Sequence, residues 1–151
     1  MGRIYTATFS EVAVTAQQDL FQIEANTVGV KLHAVFLSQT SEEGDSAAEH
    51  LSILIQRVTD AVTNDVTEVK IDDGDAAANA DLAVNETTEL TTGASIIHAE
   101  GWNILTPFVY LPLPEHRPII QVGNAIVVNL NTTPADSITM SGTMYFEELG
   151  N

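Results

Sequence analysis

The chain has 151 residues, 44% of them hydrophobic, and twenty-one acids against five bases give a formal net charge of −16. It has no cysteine, which excludes disulfides and thiolate metal sites. The five bases, Arg3, Lys31, Arg57, Lys70 and Arg117, are dispersed, which argues against nucleic-acid binding or attraction to an anionic membrane. No run approaches the roughly 18 apolar residues of a membrane-spanning helix.

The opening has no basic stretch followed by an apolar core, so no secretory signal is expected. Gly2 with Thr6 formally fits an acylation pattern, but Arg3-Ile4-Tyr5 reads as the start of a strand. Residues 4–9 and 20–23 are expected strands, with a turn near 15–19. In 30–37, Val30, Leu32, Ala34 and Phe36 alternate with Lys31, His33, Val35 and Leu37. The same period of two runs through 51–56, within an expected strand 51–58, and through 126–131 and 138–147, and the closing strand 137–148 is expected to lie centrally in a sheet. Turn-like clusters occur at 26–29, 42–45, 112–118, 122–124 and 131–136. Val122-Gly123-Asn124-Ala125 reads as a tight hairpin between 119–120 and 126–127. Short alternating strands without a helical stripe predict an all-β antiparallel sandwich of jelly-roll type, one domain over 1–151. Val127, Leu37 and Leu54 on nominally outer faces suggest cover by another chain.

Residues 42–89 differ. They hold thirteen of the acids and two of the bases, a local net of −11. Within them, 59–89 reads as an exposed acidic arm or loop, with 67–71 a short β-arm carrying Val69 and Ile71.

Candidate chemistry is sparse. His98-Ala99-Glu100 has a His-x-Glu spacing, but the Cys-x-x-Cys partner of zinc deaminases is missing. In a strand, His98 and Glu100 share a face and are expected to pair with each other. Asp72-Asp73-Gly74-Asp75 resembles half a calcium loop, yet position twelve would be Ala83 and no helices flank it. It reads as a solvated turn. There is no Gly-x-Ser-x-Gly and no Cys nucleophile. An enzyme is therefore not expected, and neither catalytic residues, cofactor nor metal are assigned. Trp102, Phe108 and Tyr110 have two readings. One is packing between sheets. The other is an aromatic interface for a partner protein or a sugar.

Beside this reading stands a resemblance. It is carried by Met1-Gly2-Arg3-Ile4-Tyr5-Thr6-Ala7-Thr8-Phe9, by Val12 to Phe21, by Ser95-Ile96-Ile97-His98-Ala99-Glu100-Gly101-Trp102-Asn103 and by Thr139 through Gly150. Together these resemble small structural proteins of tailed bacteriophages, of the jelly-roll head-decoration or cement type. The resemblance spans nearly the whole chain outside 59–89. It implies a virion protein made in the host cytoplasm and bound to the capsid exterior. The partners would be the major capsid protein and further copies of this chain, as a homotrimer, with no nucleic acid and no membrane. Acidity favours the outside, since a DNA-facing lining would be basic or neutral. Contacts between subunits are expected from 1–9 (Arg3, Ile4, Tyr5), from the arm (Val69, Ile71) and from Trp102, Phe108 and Tyr110. The alternative is a tail- or fibre-associated module that binds host glycan through the aromatic stretch.

Overall fold

The computed structural model describes residues 2–40 and 49–150; the turn expected at 42–45 lies outside them. Eleven strands follow one another: β1 (Arg3–Val14), β2 (Gln18–Glu24), β3 (Val30–Gln39), β4 (His50–Val58), β5 (Val69–Lys70), β6 (Asp81–Glu86), β7 (Ser95–Asn103), β8 (Phe108–Tyr110), β9 (Ile119–Ile120), β10 (Ala125–Leu130) and β11 (Ile138–Glu148). A 3-10 turn, Pro114–His116, interrupts the connection from β8 to β9.

The strands form two antiparallel sheets. The first runs β5-β1-β11-β3-β8, with β9 also on β3; the second runs β6-β2-β10-β4-β7. The pairing is concentric. β1 pairs with β11, β2 with β10, β3 with β8 and β4 with β7, and the chain changes sheet at every step from β1 to β6, from β7 to β8 and from β9 to β11. A doubled ribbon wound in this way is a jelly roll. β11 lies between β1 and β3.

Strict alternation on β11 sends Ile138, Met140, Met144 and Phe146 into the core and Thr139, Ser141, Thr143, Tyr145 and Glu147 outward. Tyr5 stacks on Phe146 at 5.4 Å, and Phe9 of the first sheet meets Phe21 of the second at 5.2 Å. Each such buried side chain contributes about 1.5–3 kcal/mol.

Three features depart from the expected pattern. His33 is an extra residue in β3, because Ala34 faces Tyr145 while Leu32 faces Phe146. This bulge reverses the phase beyond it. Val35 and Leu37 therefore enter the core and Phe36 turns outward, so Leu37 is covered by its own sandwich. Second, 119–127 is not a hairpin. β9 joins the first sheet and β10 the second, and Gly123, at φ +82°, makes the crossing while its N–H donates to the Ala25 carbonyl.

Third, 59–89 does not project as a free arm, although many of its side chains remain exposed. Residues 59–68 cross the outer face of the second sheet to reach β5, which pairs with β1. Residues 71–80 then close the flank between the two sheets to reach β6, which pairs with β2. Val62 and Leu90 lie over Val58, Ala83, Ala125 and Val127. The outward Val127 is thus buried by this chain itself.

Carboxylates hold this strap. Glu24 accepts from Val62 N at 2.7 Å, Glu68 from Ala78 N at 2.7 Å, and the buried Glu148 from Ala80 N at 2.9 Å. Asp60 accepts from Thr92 N at 2.8 Å. Beneath the strap Asp19 is fully buried. It accepts from Asn129 Nδ2 at 2.8 Å, Gln22 Nε2 at 2.7 Å and Leu90 N at 2.8 Å. Part of the acidity is therefore internal: these carboxylates satisfy strap amides that no strand would satisfy.

A pH dependence follows. Burial raises the Asp19 carboxyl above its ordinary value, outweighing its hydrogen bonds from Asn129, Leu90 and Gln22. Glu86 is also raised, first by its hydrogen bond to Asp65 and then by burial. Raised carboxyls bind protons more tightly folded than unfolded. Their contribution is complete below the ordinary carboxyl range, about pH 4, and is lost as pH rises through the folded values. Relief of self-repulsion in so acidic a chain acts in the same direction. Thermal unfolding is expected to peak on the acid side of neutrality, with Asp19→Asn reducing the fall toward pH 8. A midpoint that climbs steadily to pH 8 with an unchanged slope in the variant contradicts this.

Candidate functional site: an apolar flank

The strap closes one flank of the sandwich, beside β5 and β6. The other flank, where β7, β8 and β9 lie, has no such cover from the described residues. His98 of β7 packs on Tyr110 of β8 with ring centroids 4.8 Å apart, so the two sheet edges meet there. Six of the ten exposed large apolar residues belong to these strands and their connections: Ile96, Leu105, Val109, Leu111, Leu113 and Ile119. Ile96, Leu111 and Leu113 are each more than 60% exposed. Leu111-Pro112-Leu113-Pro114 leads into the 3-10 turn, and its prolines remove two amide donors from a stretch that presents its leucines to solvent. An open groove lined by Ile97, His98, Val109, Tyr110, Leu111, Pro112 and His116 joins β7 to this stretch.

Charge divides the same way. Residues 95–120, which build this flank, contain Glu100 and Glu115, whereas 59–89 contain nine acids. Beside the flank, on the outer face of the first sheet, a polar chain links β3 and β11 to the connection that precedes β9. Arg117 Nη1 donates to His33 Nδ1 at 3.1 Å, which leaves Nε2–H of His33 to donate to Glu147 at 2.8 Å. Lys31 also bonds Glu147 at 3.2 Å. Burial alone would raise the Glu147 carboxyl, but the His33 and Lys31 contacts outweigh it and hold it below its ordinary value.

The expected interface residues separate into two groups. Arg3, Ile4, Val69 and Ile71 come together at the β1–β5 edge. Val69 faces Thr6 in register, Ile71 N donates to the Ile4 carbonyl at 3.1 Å, and Arg3 lies 4.0 Å from Asp75. Val69 and Ile71 are exposed. Tyr5, Trp102, Phe108 and Tyr110 are buried instead, Tyr110 forming part of the floor of the groove along β7. Tyr5 points into the core, with its hydroxyl on the Ala76 carbonyl at 3.0 Å. Trp102, 3% exposed, donates from Nε1 to the Thr106 carbonyl at 2.6 Å. The packing reading of this aromatic stretch is the one the fold follows.

The flank leucines escape notice in the sequence because Leu-Pro-Leu-Pro reads as a rigid edge. The signal that marks them is the absence of acid around them. His98 and Glu100 pair at 2.9 Å on one strand face. Asp72 makes a local turn, accepting from Gly74 N and Asp75 N. Among the described residues no group of three or more His, Asp or Glu is arranged to hold a metal ion, and no helix is long and apolar enough to cross a membrane.

No family model and no curated protein matches the chain. Among solved structures, a chain of the T13 IBDV viral particle aligns with 99% of this chain and 40% of its own length, at 12% identity and a TM-score of 0.17. This chain thus spans about 40% of the length of that viral chain. At that score the likeness carries no argument.

Proposed function

We propose that this chain is a structural virion protein, a decoration or cement protein that binds the outer surface of a phage head. The observation that carries the reading is the two-sided sandwich: one flank strapped and acidic, the other open, apolar and nearly free of acid. Exposed apolar clusters of this kind mark protein-binding surfaces. In this reading the β7–β9 flank seats on the major capsid protein, and the β1–β5 edge, with Val69 and Ile71, meets further copies in a trimer. The acidic strap then faces solvent and keeps particles apart. Binding that requires the assembled lattice stabilises that lattice by mass action, and repetition over the shell multiplies a modest affinity. The resemblance to phage head-decoration proteins supports the same reading. The glycan-binding alternative stands on Trp102, Phe108 and Tyr110, which are buried and so support it less than the exposed flank supports capsid binding.

Heads stripped of the protein are expected to rupture at a lower temperature, with full recovery on adding it back. Leu111→Asp with Leu113→Asp is expected to weaken binding to stripped heads by about thirtyfold or more, from a combined loss of at least about 2 kcal/mol. The free protein should keep its unfolding midpoint, because both side chains are already in water. Identical rupture temperatures with and without the protein refute the cement role.

A further inference from the structure

The outer face of the first sheet carries a second, chemically different surface. Beside Phe36, an open groove of about 400 Å³ runs across β1, β11 and β3. Its polar lining is hydroxyl: Thr8, Ser10, Ser38, Ser141 and Thr143. Phe36 supplies an aromatic wall, partly exposed and held edge-on by Tyr145 at a centroid distance of 6.0 Å. No ionisable residue lines the groove, in a chain with twenty-one acids.

Two details distinguish it from an ordinary sheet face. First, Thr8, Ser10, Ser38 and Thr143 make no side-chain hydrogen bond to the described residues, so four hydroxyls are free to donate and accept. Second, the rim is shaped by strain. β1 bulges between Phe9 and Val12, and Glu11 sits there at φ +54°, its N–H donating to Ser141 Oγ at 3.0 Å. A non-glycine residue held in that conformation costs about 1–3 kcal/mol and marks a place where geometry is fixed by more than local preference.

We infer that this groove binds a neutral saccharide. An anionic ligand would find no cation in the lining, and a cationic one no carboxylate. A sugar matches what is present: its hydroxyls exchange hydrogen bonds with Thr8, Ser38 and Thr143, and its C–H face packs on the Phe36 ring. The groove volume falls within the range of small-ligand sites. The groove ends against Pro107 and Phe108 at β8, so it borders the apolar flank but contains neither Trp102 nor the exposed flank leucines.

The test is an amide NMR titration of the full chain with maltohexaose, cellohexaose and chitohexaose, and with hyaluronate as the charged comparison. At least one neutral hexasaccharide is expected to shift the amides of Thr8, Ser38 and Thr143 saturably at millimolar concentration. Phe36→Ala should weaken that binding by up to about tenfold. Thr143→Val, an outward change that leaves the core intact, should weaken it by a smaller factor. Leu113→Asp on the flank should leave it unchanged. The inference fails if none of the three neutral sugars gives a saturable shift at these residues, or if hyaluronate binds more tightly than all of them.

Discussion

Asp19→Ala is expected to lower the unfolding midpoint by about 6–12 °C, from a loss of about 3 kcal/mol. Three donors converge on this carboxylate from three parts of the chain: Gln22 on its own strand, Asn129 on β10 and Leu90 in the returning strap. All are buried or half-buried, so truncation leaves Leu90 N unpaired away from bulk water and removes one of the bonds made by Gln22 and Asn129, which keep the Thr88 carbonyl and Glu89. Relief from burying a charge offsets part of the loss but leaves the Leu90 amide without an acceptor. The damage should be local before it is global. Hydrogen exchange should quicken first at Leu90 and Thr92, while the β1–β11 ladder keeps its protection. Uniform loss of protection across both sheets means that Asp19 supports the whole sandwich and not the strap in particular.

Gly142→Val is expected to cost about 3 kcal/mol or more in urea unfolding, with little change in slope. Gly142 lies mid-strand in β11 and faces inward. A Cβ there would sit 2.6 Å and 2.8 Å from atoms of the Phe9 ring and 2.9 Å from Leu37. Both neighbours are already engaged, Phe9 against Phe21 across the sandwich and Leu37 in the core, so making room breaks native contacts. Gly142→Ala should cost less, about 1–2 kcal/mol, since only one atom is inserted. β-propensity alone would favour valine over glycine at a strand centre; the close approach of Phe9 decides against it.

What could be read in advance follows from periodicity. Strand 138–148 alternates strictly, a direct imprint of one face on a core, whereas β10 is buried on both faces and β4 changes phase at Gln56. The outward turn of Phe36 was hidden because a bulge has no reliable residue signature; one inserted position at His33 inverts everything after it. The crossing at 122–124 resembles a hairpin because Gly123 supplies the same positive φ to either connection. The strap was least legible. Its order comes from side-chain carboxylates bonded to backbone amides many positions away, such as Glu148 to Ala80 and Asp19 to Leu90, and such pairings leave no periodic trace. The candidate flank was half visible: its apolar residues and lack of acid stand in the sequence, but not their gathering on one side.

The pairing of β1 with β11 reaches beyond stability. Arg3 lies opposite Glu148, and β11 is the strand that joins β1 to β3 in the first sheet. Until β11 has emerged from the ribosome, β1 and β3 are both without their shared neighbour. Assembly of that sheet therefore waits on β11 and is slow by the measure that penalises contacts between distant parts of a chain. A chain lacking β11 would expose two sheet edges at once, and truncation before it would yield aggregates in place of a smaller working domain.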